Sequence, residues 1–219
     1  MKRNVSLQEI SDGRLYGPND MVKADSRGCK GCFECCRGMG NSVVLDPYDI
    51  YRLTLGLKRS FEELLQQELA LNVVDGVILP NLKMTGPEER CVFLDEWGRC
   101  RIHSARPGIC RLFPLGRYYE NKSFRYFLQT GECPVSRVKV RVSKWIDTPE
   151  LGKNQEFLIT WHYFLNELEE RIRENEDDNF RRNLNMLLLK IFYLAPYEEG
   201  DFYEQFIGRH QLFCRASAE

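Results

Sequence analysis

Eight of the chain's nine cysteines lie between Cys29 and Cys133, and four fall within Cys29-Lys30-Gly31-Cys32-Phe33-Glu34-Cys35-Cys36. Thiolates this dense in sequence answer to metal ligation, disulfide stapling or redox chemistry. Cys29-x2-Cys32 has the spacing at which two sulfurs turn toward one ion. Cys32-x2-Cys35 repeats it and completes a C-x2-C-x2-C run of the kind used by iron–sulfur proteins. Cys36 follows directly, and because neighbouring side chains point apart, Cys35 and Cys36 are expected to serve different sites more readily than one. Downstream stand Cys91, Cys100, Cys110 and Cys133, with His103 at ligand spacing from Cys100. The candidate metal ligands are therefore Cys29, Cys32, Cys35, Cys36, Cys91, Cys100, Cys110 and Cys133. They suffice for two four-coordinate sites, or for one cluster with a second ion site or a redox pair.

Soft sulfur donors select zinc, iron–sulfur or cuprous copper and exclude magnesium and calcium. The triplet spacing, and the lack of a second clean C-x2-C knuckle, tilt the reading toward an iron–sulfur cluster, with zinc left open. Thiolates on zinc or on an oxidised four-iron cluster leave net negative charge. Arg101, Arg106 and Arg111 flank Cys100 and Cys110 and are expected to neutralise or hydrogen-bond those sulfurs. His103 reads as a surface residue bonded to nearby backbone, His162 and His210 as structural, and Cys214, between Phe213 and Arg215, as a packing residue.

These ligands need a scaffold. Asp46-Pro47 signals a helix to about Leu57, and Ser60-Phe61-Glu62-Glu63 signals a capping box for a second helix to about Leu71. Val73 to Met84 reads as extended chain. Cys91 to Ile102 reads as a tight hairpin turning near Trp97-Gly98, which would bring Cys91 and Cys100 side by side. A short helix starting near Pro107 carries Cys110. Leu115–Tyr119 and Phe124–Leu128 form a second hairpin. Val138, Val140 and Val142 alternate as in a half-exposed strand. From about Pro149 the pattern changes: Phe157, Trp161, Phe164, Leu168 and Ile172, then Leu184, Leu187, Leu188 and Ile191, recur at helical spacing. The break falls near Asp177-Asp178-Asn179, and a last short helix covers Phe202–Gly208. The fold class is α+β, with a cysteine-rich metal-binding domain of small β-hairpins and short helices over 1–148 and a helical C-terminal region over 149–219 packed on it.

The chain has 219 residues and a formal net charge of -1, which gives no global pull toward nucleic acid or membrane. Basic residues crowd the stretch from Trp97 to Trp145, where the acids are only Glu120 and Glu132, while the segment from Glu167 to Asp178 is acidic. The aromatics of the basic stretch, Tyr118, Tyr119, Phe124 and Tyr126, alternate as hairpin core residues do. A protein partner or substrate is expected rather than nucleic acid. No stretch approaches the roughly 18 apolar residues that span a bilayer. The polar N-terminus lacks a secretory signal, so a cytoplasmic location with reduced thiols is expected, and the odd cysteine count argues against a disulfide framework.

In order, the chain presents Cys29-x2-Cys32-x2-Cys35-Cys36, Cys91-Val92-Phe93-Leu94-Asp95, Gly98-Arg99-Cys100-Arg101-Ile102-His103, Arg106-Pro107-x2-Cys110-Arg111-Leu112-Phe113-Pro114 and Cys133-Pro134. Over about residues 29–134 it resembles the YkgJ-type cysteine-cluster family of zinc- or iron-chelating domains. The resemblance implies a metal-chelating domain whose ligands are these cysteines. The domain is also similar to that of flagellin lysine N-methylases, which implies an S-adenosylmethionine-dependent methyl transfer linked to an iron–sulfur cluster in some relatives. Methyltransferase activity is thus implied by the resemblance alone, and the tail after about residue 150 carries no motif of those enzymes.

Overall fold

The structure, a computed structural model, describes residues 6–25, 32–133 and 138–217. Local capping chemistry sets the helices of its first half. After one helical turn, α1 (Leu7–Ile10), and strand β1 (Met21–Asp25), Asp46 caps α2 (Pro47–Leu57). Its carboxylate accepts the Asp49 N–H at 2.9 Å, and the Asp49 carboxylate accepts the Asp46 N–H at 3.2 Å. Ser60 and Glu63 form the same reciprocal box for α3 (Phe61–Gln67). That helix stops short of Leu71 because Leu69 already opens β2 (Leu69–Val74), which pairs antiparallel with β3 (Val77–Leu82). Leu69 and Leu82 face each other in this pair, 0% and 1% exposed, so pairing and burial override the local helical pattern. The connecting Asp75 and Gly76 both have positive φ, 52° and 87°, as a two-residue hairpin turn of right-handed twist requires.

Next come the short strands β4 (Met84–Thr85) and β5 (Arg90–Cys91), paired with each other. The tight hairpin expected over Cys91–Ile102 is looser than that. Cys91 lies opposite Met84, and inside the loop only Leu94 and Cys100 form a bridge. The Asp95 carboxylate holds the turn instead, accepting the N–H groups of Trp97 at 3.0 Å and Arg99 at 2.7 Å. Helix α4 (Gly108–Leu112) carries Cys110, and the hairpin of β6 (Leu115–Glu120) and β7 (Ser123–Leu128) turns at Asn121-Lys122. The last strand, β8 (Val138–Arg141), pairs with β1, and Val142, fully buried, belongs to helix α5 (Val142–Ile146) rather than to the strand.

The C-terminal part is helical, as its periodicity predicts: α6 (Leu151–Glu174), α7 (Asp178–Leu189) running into a π-helical turn (Lys190–Leu194), and α8 (Phe202–Ala216). Helix α8 continues past Gly208 because Phe213, 1% exposed, packs edge-on against Phe164 at 5.0 Å. Asn185 of α7 ties this layer to the β2–β3 turn, accepting the Ile78 N–H at 2.7 Å and donating to the Gly76 carbonyl at 3.2 Å. The architecture is α+β, with helices and separate antiparallel strand pairs. One continuous set of buried side chains runs from Val22 and Leu53 through Leu115 to Trp161 and Phe213. Among the described residues, no helix is long and apolar enough to cross a membrane.

Candidate metal centre

Strand register brings the cysteines of separate stretches together. Cys35 and Cys36 sit in a single 3-10 turn, Glu34–Cys36, closed by the Cys36 N–H donating to the Phe33 carbonyl at 2.8 Å. Arg37 then bridges Arg90 in antiparallel sense, and the Gly38 N–H donates to the Glu89 carbonyl at 3.0 Å. This register sets Cys36 abreast of Cys91. The chain leaves Cys91, turns at Asp95, and returns so that Cys100 bridges Leu94, with the Arg101 N–H on the Phe93 carbonyl at 2.9 Å. The Phe33 ring joins the two loops. It lies against Gly98, where a Cβ would come within 2.6 Å of Phe33 Cδ1, and the guanidinium carbons of Arg37 and Arg90 stand 5.3 Å and 5.4 Å from its centroid.

The thiols of Cys35, Cys36, Cys91, Cys100 and Cys110 act on one another electrostatically. Cys35 and Cys36 stand next to each other, and a side-chain hydrogen bond links the two thiols. The Cys36 thiol steadies the Cys35 thiolate, with Arg106 assisting, and brings Cys35 down to about 7. Cys36 is pushed up by the same bond, by burial and by the neighbouring sulfurs. Burial likewise pushes up Cys91 and Cys100, each opposed by a backbone N–H two residues on, that of Phe93 and that of Ile102. Cys110 is half-buried as a residue, but its sulfur lies deep, and burial with the nearby Asp49 raises it.

Arg106 is the cation beside three of these thiols, lowering Cys35, Cys100 and Cys110. Its Nε is buried without a hydrogen-bond partner, a donor left over for an electron-rich neighbour. Arg101 acts on Cys91 and Cys100 and donates to the Val92 carbonyl at 2.7 Å. Arg111 gives its two Nη groups to the Asp147 carbonyl at 2.9 Å and to Thr148 Oγ1 at 2.8 Å, while its Nε, like that of Arg106, is buried without a hydrogen-bond partner. His103 is exposed, and Arg106 beside it lowers its pKa. Cys32 and Cys133 are half-buried, Cys214 is exposed on α8, and Cys29 lies outside the described residues.

Among the described residues, no three Cys, His, Asp or Glu side chains stand close enough to hold one ion between them. The donor set nevertheless fits a thiophilic group by its chemistry. Half-buried thiols gather from three stretches of chain, backbone N–H groups are turned to two of the sulfurs, and Arg106 brings positive charge. The link of Phe33 to Gly98 and the register of Arg37 on Arg90 carry no signal in the sequence, because both join residues more than fifty positions apart.

No solved structure matches the chain. The family whose signature is CxxCxxCC, described as a putative zinc- or iron-chelating domain, matches residues 28–134. That span begins just before Cys29, ends just after Cys133 and contains every thiol of the group. Over residues 28–134 the chain belongs to this family of zinc- or iron-chelating domains.

Proposed function

We propose that this domain binds an iron–sulfur cluster, with zinc as the alternative occupant, through Cys29, Cys32, Cys35, Cys36, Cys91, Cys100, Cys110 and Cys133. The observation that carries the reading is the convergence of Cys35 and Cys36 with Cys91, Cys100 and Cys110, which share electrostatic neighbours although they come from separate stretches of chain. The C-x2-C-x2-C run favours iron–sulfur over zinc. Such a group would supply a fixed, electron-rich centre able to accept or release an electron, and the residues of this chain would set its charge surroundings. Arg106 and Arg101 would offset the thiolate charge, and the Phe93 and Ile102 N–H groups would stabilise two of the sulfurs.

Anaerobic purification followed by metal analysis, sulfide analysis and visible absorption tests the reading. Iron and acid-labile sulfide in comparable amounts, with loss of both in Cys36→Ser and Cys110→Ser, are the expected result. A colourless protein carrying stoichiometric zinc would replace the cluster with the alternative occupant. Metal content unchanged in both variants would remove those cysteines from the ligand set.

A further inference from the structure

The helix that presents Cys110 takes the partner of its first amide from a distant helix. Pro107, just before α4, makes no side-chain capping bond. The Gly108 N–H donates instead to Asp49 Oδ1 at 2.6 Å. Asp49 belongs to the first turn of α2, is 3% exposed, and accepts the Asp46 N–H with its other oxygen at 3.2 Å. One buried carboxylate thus joins the start of α2 to the start of α4, two residues before the Cys110 sulfur. The far end of α4 is held as well, by Trp145 Nε1 donating to the carbonyls of Leu112 at 3.3 Å and Phe113 at 3.2 Å. With both ends fixed, Cys110 cannot shift along or about its helix without breaking a part-buried hydrogen bond.

We propose that Asp49 is the positioning residue that sets Cys110 in the metal centre. The proposal rests on the metal-binding reading above. What the role requires is an acceptor at Oδ1, since the bond to Gly108 is what places the helix. Asparagine can supply that acceptor without the charge, giving up the longer bond from the Asp46 N–H, and alanine can supply neither.

The test uses the full chain, reduced and metal-free, titrated with cobalt(II) as a spectroscopic probe of thiolate ligation, in wild type, Asp49→Asn, Asp49→Ala and Cys110→Ser. Asp49→Ala should bind cobalt about 10–100-fold more weakly, the usual loss when an outer partner of a metal ligand is removed. Its thiolate-to-cobalt absorption should fall to that of Cys110→Ser, whereas Asp49→Asn should keep the wild-type spectrum. Wild-type behaviour in Asp49→Ala, or equal loss in Asp49→Asn and Asp49→Ala, would overturn the proposal. Alkylation of the metal-free protein, read by mass spectrometry, gives a readout that needs no metal. Labelling of Cys110 relative to Cys91 should speed up in Asp49→Ala and not in Asp49→Asn, and equal labelling in all would also overturn it. Failure of the wild type to bind cobalt would count against the metal reading, while the alkylation rates would still decide the role of Asp49.

Discussion

At the scale of single residues, buried charge is the organising problem around the cysteines. Asp46 and Asp49 lie side by side at the start of α2. Burial first, then the Asp49 charge, raises Asp46 from its ordinary 3.8 to about 8. Between those limits the folded chain keeps a proton on Asp46 that the unfolded chain has lost. The stability from this group is therefore full below 3.8 and falls as pH rises toward 8. Asp46→Asn keeps a capping oxygen and removes this carboxyl's titration, leaving that of Asp49, which burial also raises. In denaturant melts of the metal-free protein, the variant should gain on wild type steadily across that window, and parallel pH profiles for the two proteins would contradict the assignment. The pairing of Asp46 with the Asp49 N–H is legible in the sequence, because a capping box is a local pattern of four residues. The bond from Gly108 to Asp49 is not, because fifty-nine positions separate its partners and no periodic signal spans them.

Among the elements, two of the cysteine loops are joined to each other by a contact that contains no cysteine. Phe33 seated on Gly98 locks the loop of Cys35 and Cys36 to the loop between Cys91 and Cys100. Gly98 has φ 74°, and its missing Cβ leaves the room the ring occupies. Gly98→Ala should cost more than about 1 kcal/mol of stability through the backbone conformation alone. It should also displace Phe33, so the purified protein should carry less metal than wild type. Wild-type metal content and melting temperature in this variant would show that the loops are joined by other means. Elements with strong local signals follow the sequence closely: α2 begins at Pro47 and ends at Leu57, and the β6–β7 hairpin turns at Asn121-Lys122. Elements decided by distant partners depart from it. Helix α3 yields at Leu69 to the pairing of β2 with β3, the Cys91 loop opens because Cys91 pairs with Met84, and α8 runs on beyond Gly208 to bury Phe213.

Across the whole molecule, the cysteine-bearing part and the C-terminal helices share one core. Tyr193, in the π-helical turn, donates its hydroxyl to the Leu45 carbonyl at 3.1 Å, just ahead of α2. Phe192 beside it is 0% exposed and touches the rings of Trp161, Phe164, Phe206 and Phe213. Phe192→Ala should destabilise the protein by about 3–5 kcal/mol, the usual cost of emptying a buried aromatic site. We propose that this loss also weakens metal retention, since α2, which carries Asp49, leans on that core. A destabilised variant with wild-type metal affinity would separate the two parts. The amphipathic spacing of α6 and α7 was legible because burial of one helix face repeats with the turn. The methyl-transfer expectation rests on family resemblance and on no residue of these helices.

X-ray absorption at the metal edge of the anaerobically purified full chain addresses the ligation of the centre most directly. The account predicts a bound thiophilic metal whose nearest shell is sulfur, at a distance of about 2.3 Å if the ion is zinc. A nearest shell of nitrogen and oxygen, with the thiols of Cys36, Cys91, Cys100 and Cys110 all free to react in that same sample, would contradict it.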